Sequence, residues 1–169
     1  MARLTIIYGE GKGKTTYSLG HIYLQSLLNK KITVAQFLKT GKNCGECYFF
    51  KEYDAIEWFY FGKEGFFTKT SNRKDFRNSI KIGIQELKDF LKINKRNILL
   101  LDELGVTLFF KLVRWKEIQT LFKFITEEII ITGRKIPQSI RKRADNLIYV
   151  DEKKHPYNKG IEARKGIDF

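Results

Sequence analysis

The sequence predicts an α/β domain in which a mostly parallel sheet is flanked by helices in three layers. Short apolar runs alternate with segments of helical periodicity along the chain. One run, NILLLDE at residues 97–103, is apolar on both faces, as a central parallel strand must be. The 169 residues suit one hydrophobic core, and no linker divides them. We therefore expect a single domain over 1–169, in which 151–169 form an ordered C-terminal tail.

The elements of the first half follow from local patterns. RLTIIY (3–8), KITVAQFL (31–38) and AIEWFYF (55–61) read as strands, and KTTYSLGHIYLQSLLNK (14–30) reads as a helix. A second helix is predicted over 72–94, because its apolar residues recur every three or four positions and form one stripe. The residues of this stripe are Phe76, Ile80, Ile84, Leu87 and Leu91.

The second half continues the alternation after the central strand. WKEIQTLFKFI (115–125) has helical spacing, and EEIIITG (127–133) reads as a strand. PQSIRKRA (137–144) is predicted as a short helix that Pro137 opens, and NLIYV (146–150) as the last strand.

A glycine-rich loop joins the first strand to the first helix. Gly13, Lys14 and Thr15 fill the last places of the phosphate-loop pattern Gly-x4-Gly-Lys-Ser/Thr, whereas Tyr8 stands where its first glycine belongs and Gly9 follows. Glycines in such a loop let successive N–H groups converge on phosphate oxygens, and the helix that follows adds its positive end. We expect the whole loop to bind a nucleotide's phosphates, through Gly9, Glu10, Gly11, Lys12, Gly13, Lys14, Thr15 and Thr16. A dinucleotide loop is excluded, because Lys14 takes the place of its third glycine.

A phosphate loop needs a carboxylate at the end of another strand to hold a magnesium ion. Asp102, with Glu103 beside it, ends the apolar run ILLLDE. The Thr15 hydroxyl is a third oxygen ligand. The residues thus predict binding of a nucleoside triphosphate with Mg²⁺ (or Mn²⁺), the metal ligands being Thr15, Asp102 and Glu103.

The charge and the cysteines restrict the function less. A net charge of +13 favours polyanionic partners, although a general bias toward Lys, Ile, Asn and Phe explains it equally well. Cys44 and Cys47 are the only cysteines, which excludes a disulfide framework and disfavours a zinc site. No apolar run approaches the roughly 20 residues of a membrane span, and no secretory signal is evident. We expect a cytoplasmic protein without a membrane partner.

Three reaction classes share this loop and carboxylate. An NTPase or motor would hydrolyse the γ-phosphate, with Glu103 polarising water, and a small-molecule kinase would pass that phosphate to a hydroxyl. A third class uses the triphosphate only as a leaving group, and the nucleoside's 5′ carbon is attacked. A nucleic-acid-binding ATPase is a further alternative, which rests on charge alone because no aromatic-basic recognition motif is present.

Six segments together resemble one known family. They are GEGKGKTT, VAQFLK, LLLDEL, ITGRKIP, RADNLIYV and KHPYNKGIEARKGIDF, in this order. The chain is similar, over residues 3–169, to the P-loop family of ATP:corrinoid adenosyltransferases, which act in cobalamin synthesis and salvage. The last segment is the most specific, since it is not a general P-loop feature. The resemblance implies a three-layer P-loop NTPase-like fold.

The resemblance also implies a mechanism and its residues. The Co(I) form of the corrinoid attacks the 5′ carbon of ATP and expels triphosphate, which is held in the sense opposite to that of ordinary P-loop enzymes. Lys14 would stabilise the departing triphosphate, while Thr15 and Glu103 would hold magnesium; these three are the expected catalytic residues. Gln36 and Arg134 match family positions that line the ATP site.

On the corrinoid side the family has the motif Gly-Phe-Thr-Trp, whose aromatic residues lie under the corrin. This chain reads GFFTK, so Phe66 fits and Phe67 is expected to serve as the second wedge, with Trp58 as an alternative. His155, in the tail segment, is assigned to the same side. Leu24 stands where the family usually has an arginine in the first helix.

The resemblance further implies partners. Besides ATP and a corrinoid, it implies a homodimer and an acidic electron donor such as a flavodoxin. A basic surface would attract such a donor at low salt. Nucleic acid is not expected as a partner.

Overall fold

The computed structural model describes residues 2–41, 56–62 and 72–154. They form six strands and five helices in the predicted alternation. In chain order these elements are β1 (Arg3–Tyr8), α1 (Lys14–Ser26), β2 (Ile32–Phe37), β3 (Ile56–Phe61), α2 (Arg73–Ile93), β4 (Arg96–Asp102), α3 (Leu104–Phe109), α4 (Trp115–Phe122), β5 (Ile125–Gly133), α5 (Gln138–Arg141) and β6 (Asn146–Tyr149).

The strands form one six-stranded sheet in the order β3-β2-β4-β5-β1-β6, and every pair is parallel. This confirms the predicted fold class. Because the carboxyl ends of parallel strands meet at one edge of the sheet, the segments after β1, β2, β4 and β5 are brought together there. The functional residues must be sought at that edge.

Helices cover both faces of the sheet. α1 packs on one face, against a core cluster that includes Ile22 and Ile130. The larger core lies on the opposite face, under α2, α3, α4 and α5. The predicted apolar stripe of α2 is confirmed, since all five of its residues are buried there. Asn72 caps the start of α2: its side chain accepts a hydrogen bond from the Lys74 N–H at 3.1 Å and so satisfies one free donor of the first turn.

Several predicted boundaries differ from the structure by a few residues. The first helix ends at Ser26, before residue 30, and the helix that opens at Trp115 ends at Phe122 because Ile125 already pairs with Arg96 in the sheet. α3 was not predicted. Six residues are too few for a helical period to show, and its sequence LGVTLF continues the apolar character of the strand before it.

The chain after β6 returns to the glycine-rich loop. The Val150 N–H donates to the Tyr8 carbonyl at 2.8 Å, and the Gly11 N–H donates to the Val150 carbonyl at 3.0 Å. Of the predicted tail, only 151–154 belong to the described residues, so the ordered tail stays a prediction. Among the described residues, no helix is long and apolar enough to cross a bilayer.

Candidate nucleotide site

The loop between β1 and α1 has the conformation that a phosphate loop requires. Gly13 caps α1 with φ at 101°, a left-handed value that residues with a side chain rarely adopt. Lys14 is the first residue of α1 and is only 6% exposed. Its Nζ donates to the Gly11 carbonyl at 2.5 Å, so the ammonium group lies against its own loop.

Asp102, at the end of β4, is the centre of the site. It is fully buried, and each of its carboxylate oxygens accepts hydrogen bonds. Oδ1 accepts from the hydroxyls of Thr15 at 2.9 Å and Thr132 at 2.6 Å. Oδ2 accepts from Gln36 Nε2 at 3.0 Å and lies 3.5 Å from Lys39 Nζ. The carboxylate therefore joins α1, β5 and β2, and it satisfies the rule that a buried charge needs several partners.

The sequence pointed to some of these partners and missed others. Thr15, Gln36 and Asp102 were predicted, and the structure brings them together, with Gln36 beside Asp102 in the register of β2 and β4. Thr132 and Lys39 were missed. A signal existed for both, since each stands next to a predicted strand end at the same edge of the sheet: Thr132 within IIITG, and Lys39 in VAQFLK.

Glu103 has a strained backbone and a carboxyl pKa that is shifted from its ordinary value. Its φ of 58° and ψ of 20° are left-handed, which costs a non-glycine residue about 1 kcal/mol or more. A hydrogen bond stabilises this backbone conformation, since the Glu103 N–H donates to Thr132 Oγ1 at 2.9 Å. Burial, and then the neighbouring charge of Asp102, raise the pKa of the Glu103 carboxyl. Such a carboxylate is stabilised by any cation brought beside it.

Lys14 shows the opposite electrostatic effect. Burial lowers the pKa of its ammonium group, although the nearby charge of Glu103 opposes that shift. A polyphosphate would place negative charge beside this buried ammonium group and stabilise its charged form. The electrostatics of the loop therefore favour an anionic ligand.

Arg134 follows β5 and faces the glycine-rich loop. Its Nη1 lies 3.9 Å from Glu10 Oε2, and its side chain is about half exposed. The end of β5 is positioned by a close backbone contact, since a Cβ on Gly133 would lie 2.6 Å from the Gly105 Cα in α3. α3 and β5 can approach so closely because both contacting residues, Gly105 and Gly133, are glycines. This contact determines where Arg134 stands relative to the loop.

A cavity of about 410 Å³ opens on the β6 side of the loop. It lies among the ends of β1, β5 and β6 and the short helix α5. No sequence pattern predicted the cavity, although its cations belong to RKIPQSIRKR (134–143), the densest basic run of the chain. Its charged and aromatic lining consists of Tyr8, Glu10, Arg134, Lys135, Arg141 and Tyr149, together with Phe109.

The residues predicted for the corrinoid side lie outside the described residues. These are Phe66, Phe67 and His155; Cys44 and Cys47 also lie outside. Trp58, the alternative wedge, lies in the middle of β3 and packs against the core cluster on the α1 side. Its ring stacks on Tyr60 with centroids 6.0 Å apart. Leu24 is exposed on α1.

The oxygen ligands at this edge could hold a hard divalent cation. Among the described residues no three His, Cys, Asp or Glu side chains cluster as a metal site. The available ligands are the Thr15 hydroxyl and the carboxylates of Asp102 and Glu103. Magnesium commonly takes few protein oxygens and keeps water and phosphate oxygens as its other ligands, so this set fits it.

A family model described as ATP:corrinoid adenosyltransferase BtuR/CobO/CobP matches residues 1–169. The chain belongs to this family. This match confirms the resemblance to ATP:corrinoid adenosyltransferases that the six segments indicated.

Individual relatives agree with the family match. A corrinoid adenosyltransferase of a Sinorhizobium species is 26% identical over 168 residues, which cover 95% of this chain and 77% of the relative. That of Escherichia coli strain K12 is 29% identical over 168 residues, 98% of this chain and 85% of the relative. The corrinoid adenosyltransferase CobA of Salmonella typhimurium strain LT2 is 27% identical, with the same coverage.

The family membership decides between the reaction classes that the loop alone left open. This adenosyltransferase transfers an adenosyl group from ATP to a corrinoid, which confirms the predicted activity. The NTPase, kinase and nucleic-acid-binding ATPase alternatives are not supported. ATP and a corrinoid are accordingly its substrates.

Proposed function

We propose that the polyphosphate of ATP lies on the loop 9–16 and that the 5′ carbon of ATP faces the Co(I) centre of the corrinoid. Cobalt donates an electron pair to form the Co–C bond and is oxidised from Co(I) to Co(III). The bond between the 5′ carbon and its oxygen breaks, and triphosphate leaves with the bonding pair. The observation that supports this most is the Thr15–Asp102 hydrogen bond, because it joins the phosphate loop to the end of β4 beside the buried Lys14.

The protein's contribution in this reaction is positioning and charge neutralisation. Co(I) is already a strong nucleophile, so the site needs to align it with the 5′ carbon and to stabilise the departing charge. Lys14 and the loop amides are placed for the second task. Arg134 reaches the loop from β5, and Gln36 stands beside Asp102 at the end of β2. These two positions support their assignment to the ATP site.

We propose that Thr15 and Glu103 hold Mg²⁺, or Mn²⁺, and that Asp102 orients the Thr15 hydroxyl. Thr15 donates its proton to Asp102, so its oxygen lone pairs remain for a cation. The Glu103 carboxylate has a raised pKa through burial and through Asp102, and a cation would relieve both costs. A bound cation supplies further neutralisation of the triphosphate charge.

The products and one pair of variants test these assignments. The wild-type enzyme should release intact triphosphate and yield a light-sensitive alkyl-cobalt spectrum, whereas ADP and phosphate would contradict the proposal. Thr15→Val keeps the shape but loses the hydroxyl, and it should need more magnesium and transfer more slowly. Thr15→Ser, which keeps the hydroxyl, is the matched control and should retain most of the activity.

For the corrinoid side we propose that Phe66, Phe67 and His155 contact the corrinoid, which the resemblance supports. Phe67→Ala should slow the reaction from Co(II) far more than the reaction from chemically prepared Co(I). Equal slowing of both reactions would refute the wedge role.

We also propose the partners that the family resemblance implies. The net charge of +13 supports an acidic electron donor such as a flavodoxin, so donor-dependent reduction should slow as salt rises. A flat salt response would contradict this. A homodimer and a cytoplasmic location stay predictions, the first of which sedimentation of the purified enzyme would test.

A further inference from the structure

The cavity beside the phosphate loop has a strongly cationic lining. Arg134, Lys135 and Arg141 contribute positive charge, and Glu10 is its one acidic residue. Glu10 faces Arg134 at 3.9 Å, which leaves Lys135 and Arg141 as the uncompensated cations. Neither of these two forms an ion pair with a carboxylate in the part of the chain that the structure describes. The cavity therefore favours an anion.

Both uncompensated cations rest on aromatic rings. The Arg141 guanidinium carbon lies 4.5 Å from the centroid of the Tyr8 ring, and Lys135 Nζ lies 4.9 Å from that of Phe109. These contacts hold the cations over the ring faces that a flat base would otherwise stack on. A nucleobase could stack there only after displacing the cations and would gain nothing from their charge, whereas a phosphate group would meet that charge directly. The cavity is thus better suited to phosphate than to a base.

The cavity is continuous with the phosphate loop. Tyr8, Gly9 and Glu10 belong both to its lining and to the chain that enters the loop. Tyr8 lies level with Gly133 and Tyr149 in the parallel register, so the cavity opens at the carboxyl edge of the sheet. A polyphosphate bound on the loop can therefore continue into the cavity.

The opposite direction along this edge is less favourable for a polyphosphate. There the chain presents Asp102 and Glu103, whose carboxylates lie at the end of β4. Negative charge extended toward them without a bridging cation would be repelled. The side-chain charges therefore favour the β6 side for the terminal phosphates, whereas phosphate oxygens on the β4 side need Lys39 and the Mg²⁺ that Thr15 and Glu103 are proposed to hold.

We propose that Lys135 and Arg141 bind the terminal phosphates of the triphosphate chain, first as the tail of ATP and then as the leaving group. This assignment rests on the proposed function insofar as triphosphate is the leaving group. The binding of inorganic triphosphate to the cavity can be measured without any corrinoid or transfer.

Calorimetric titration of the full chain with magnesium tripolyphosphate tests the proposal. Lys135→Ala and Arg141→Ala should each weaken binding roughly tenfold, as expected when one charge-assisted hydrogen bond is lost. Arg141→Lys should recover part of the affinity. Arg141→Met keeps an apolar stem over Tyr8 and should bind as weakly as Arg141→Ala. Lys142→Ala removes an exposed neighbouring cation that does not line the cavity, and its affinity should equal that of the wild type.

Steady-state kinetics provide a second measurement. The Lys135 and Arg141 variants should show a higher KM for ATP and weaker product inhibition by tripolyphosphate, and affinity for adenosine should not change. Unchanged tripolyphosphate affinity in both alanine variants would overturn the proposal. So would a loss confined to adenosine binding, which would assign the cavity to the base. If the wild type instead releases ADP, the proposed reaction fails, while the titration still decides what the cavity binds.

Discussion

The two sides of the phosphate loop are built in different ways. On the β4 side, Asp102 is fully buried and accepts hydrogen bonds from Thr15, Gln36 and Thr132. On the β6 side, Arg141 and Lys135 lie over aromatic rings at the wall of an open cavity. One side is a closed hydrogen-bond network, and the other is a set of cations that are held loosely.

This difference in construction makes one side rigid and the other adaptable. A buried carboxylate needs all its partners in place, so the β4 side is rigid before any ligand arrives. Cation–π contacts at a partly exposed site stabilise by only about 0.5–1 kcal/mol, so the β6 side can rearrange at little cost. A rigid side suits alignment of the reacting atoms, and an adaptable side suits entry and release of a polyphosphate.

The largest effect is expected at Lys14, which lies between the two sides. Lys14→Met and Lys14→Ala should lower turnover by roughly 10²–10³-fold, the range seen when one preorganised charge-stabilising group is removed. Lys14→Met keeps the buried stem and should remain folded, because burial lowers the pKa of the Lys14 ammonium and its charge therefore costs stability. Transfer rates and thermal melts measure both. Near-normal turnover in Lys14→Met would refute the role of the ammonium group.

Glu103→Gln tests the β4 side through the pH dependence of protein stability. Burial and Asp102 raise the pKa of Glu103, so the folded state binds a proton more readily than the unfolded chain. Wild-type stability should therefore fall as the pH rises from the ordinary carboxyl value of about 4.5 through the raised one. The variant should lack this loss and be the more stable protein at pH 8, yet it should need more magnesium for transfer. Melts across this pH range, with and without Mg–ATP, measure these changes. Equal pH profiles would contradict the prediction.

Gly133→Ala tests whether the two sides depend on one backbone contact. A Cβ there would lie 2.6 Å from Gly105 Cα, and φ is 151°, so α3 and β5 must separate. Overpacking of this kind typically costs about 1–3 kcal/mol, and Arg134 should shift, which would raise the KM for ATP.

Gly20→Ala is the matched control, because a Cβ at Gly20 in α1 meets nothing within 4 Å. It should be neutral or stabilise by roughly 0.4–1 kcal/mol. Denaturant titration of both variants compares them.

The smallest effect on turnover is expected at Glu128, a buried carboxylate remote from both sides. Burial by itself would raise its pKa, but hydrogen bonds from Thr5 at 2.5 Å, His21 at 2.9 Å and the nearby Arg3 lower it overall. Its contribution to stability is therefore present above about pH 4.5 and is lost as the pH falls through the lowered pKa.

Glu128→Gln should leave turnover unchanged and lower the free energy of unfolding at pH 7 by about 1–3 kcal/mol. The difference from the wild type should shrink in acid. Urea titrations at pH 7 and in the acid range measure this difference. A turnover defect would show that the network reaches the site after all.

Several features were predictable because they depend on neighbours in the chain. The spacing of Gly13, Lys14 and Thr15 after an apolar run predicted the phosphate loop, and the period of Phe76 and Ile80 predicted the buried face of α2. The six family segments predicted the activity, which the family match confirmed. The loop and the apolar stripe are each readable over a few turns or strand residues, and each family segment is itself a short run of neighbouring residues.

Other features depend on residues that only the fold brings together. Thr132 and Lys39 reach Asp102 because β5 and β2 flank β4 in the sheet, and no spacing in the chain encodes that order. The left-handed Glu103, the Gly105–Gly133 contact and the cationic cavity arise in the same way. The sequence by itself determined which chemical groups the protein has and the local elements that bear them. The tertiary structure decided which of those groups share a hydrogen bond or a cavity, since that depends on strand order and on the distances across the edge of the sheet.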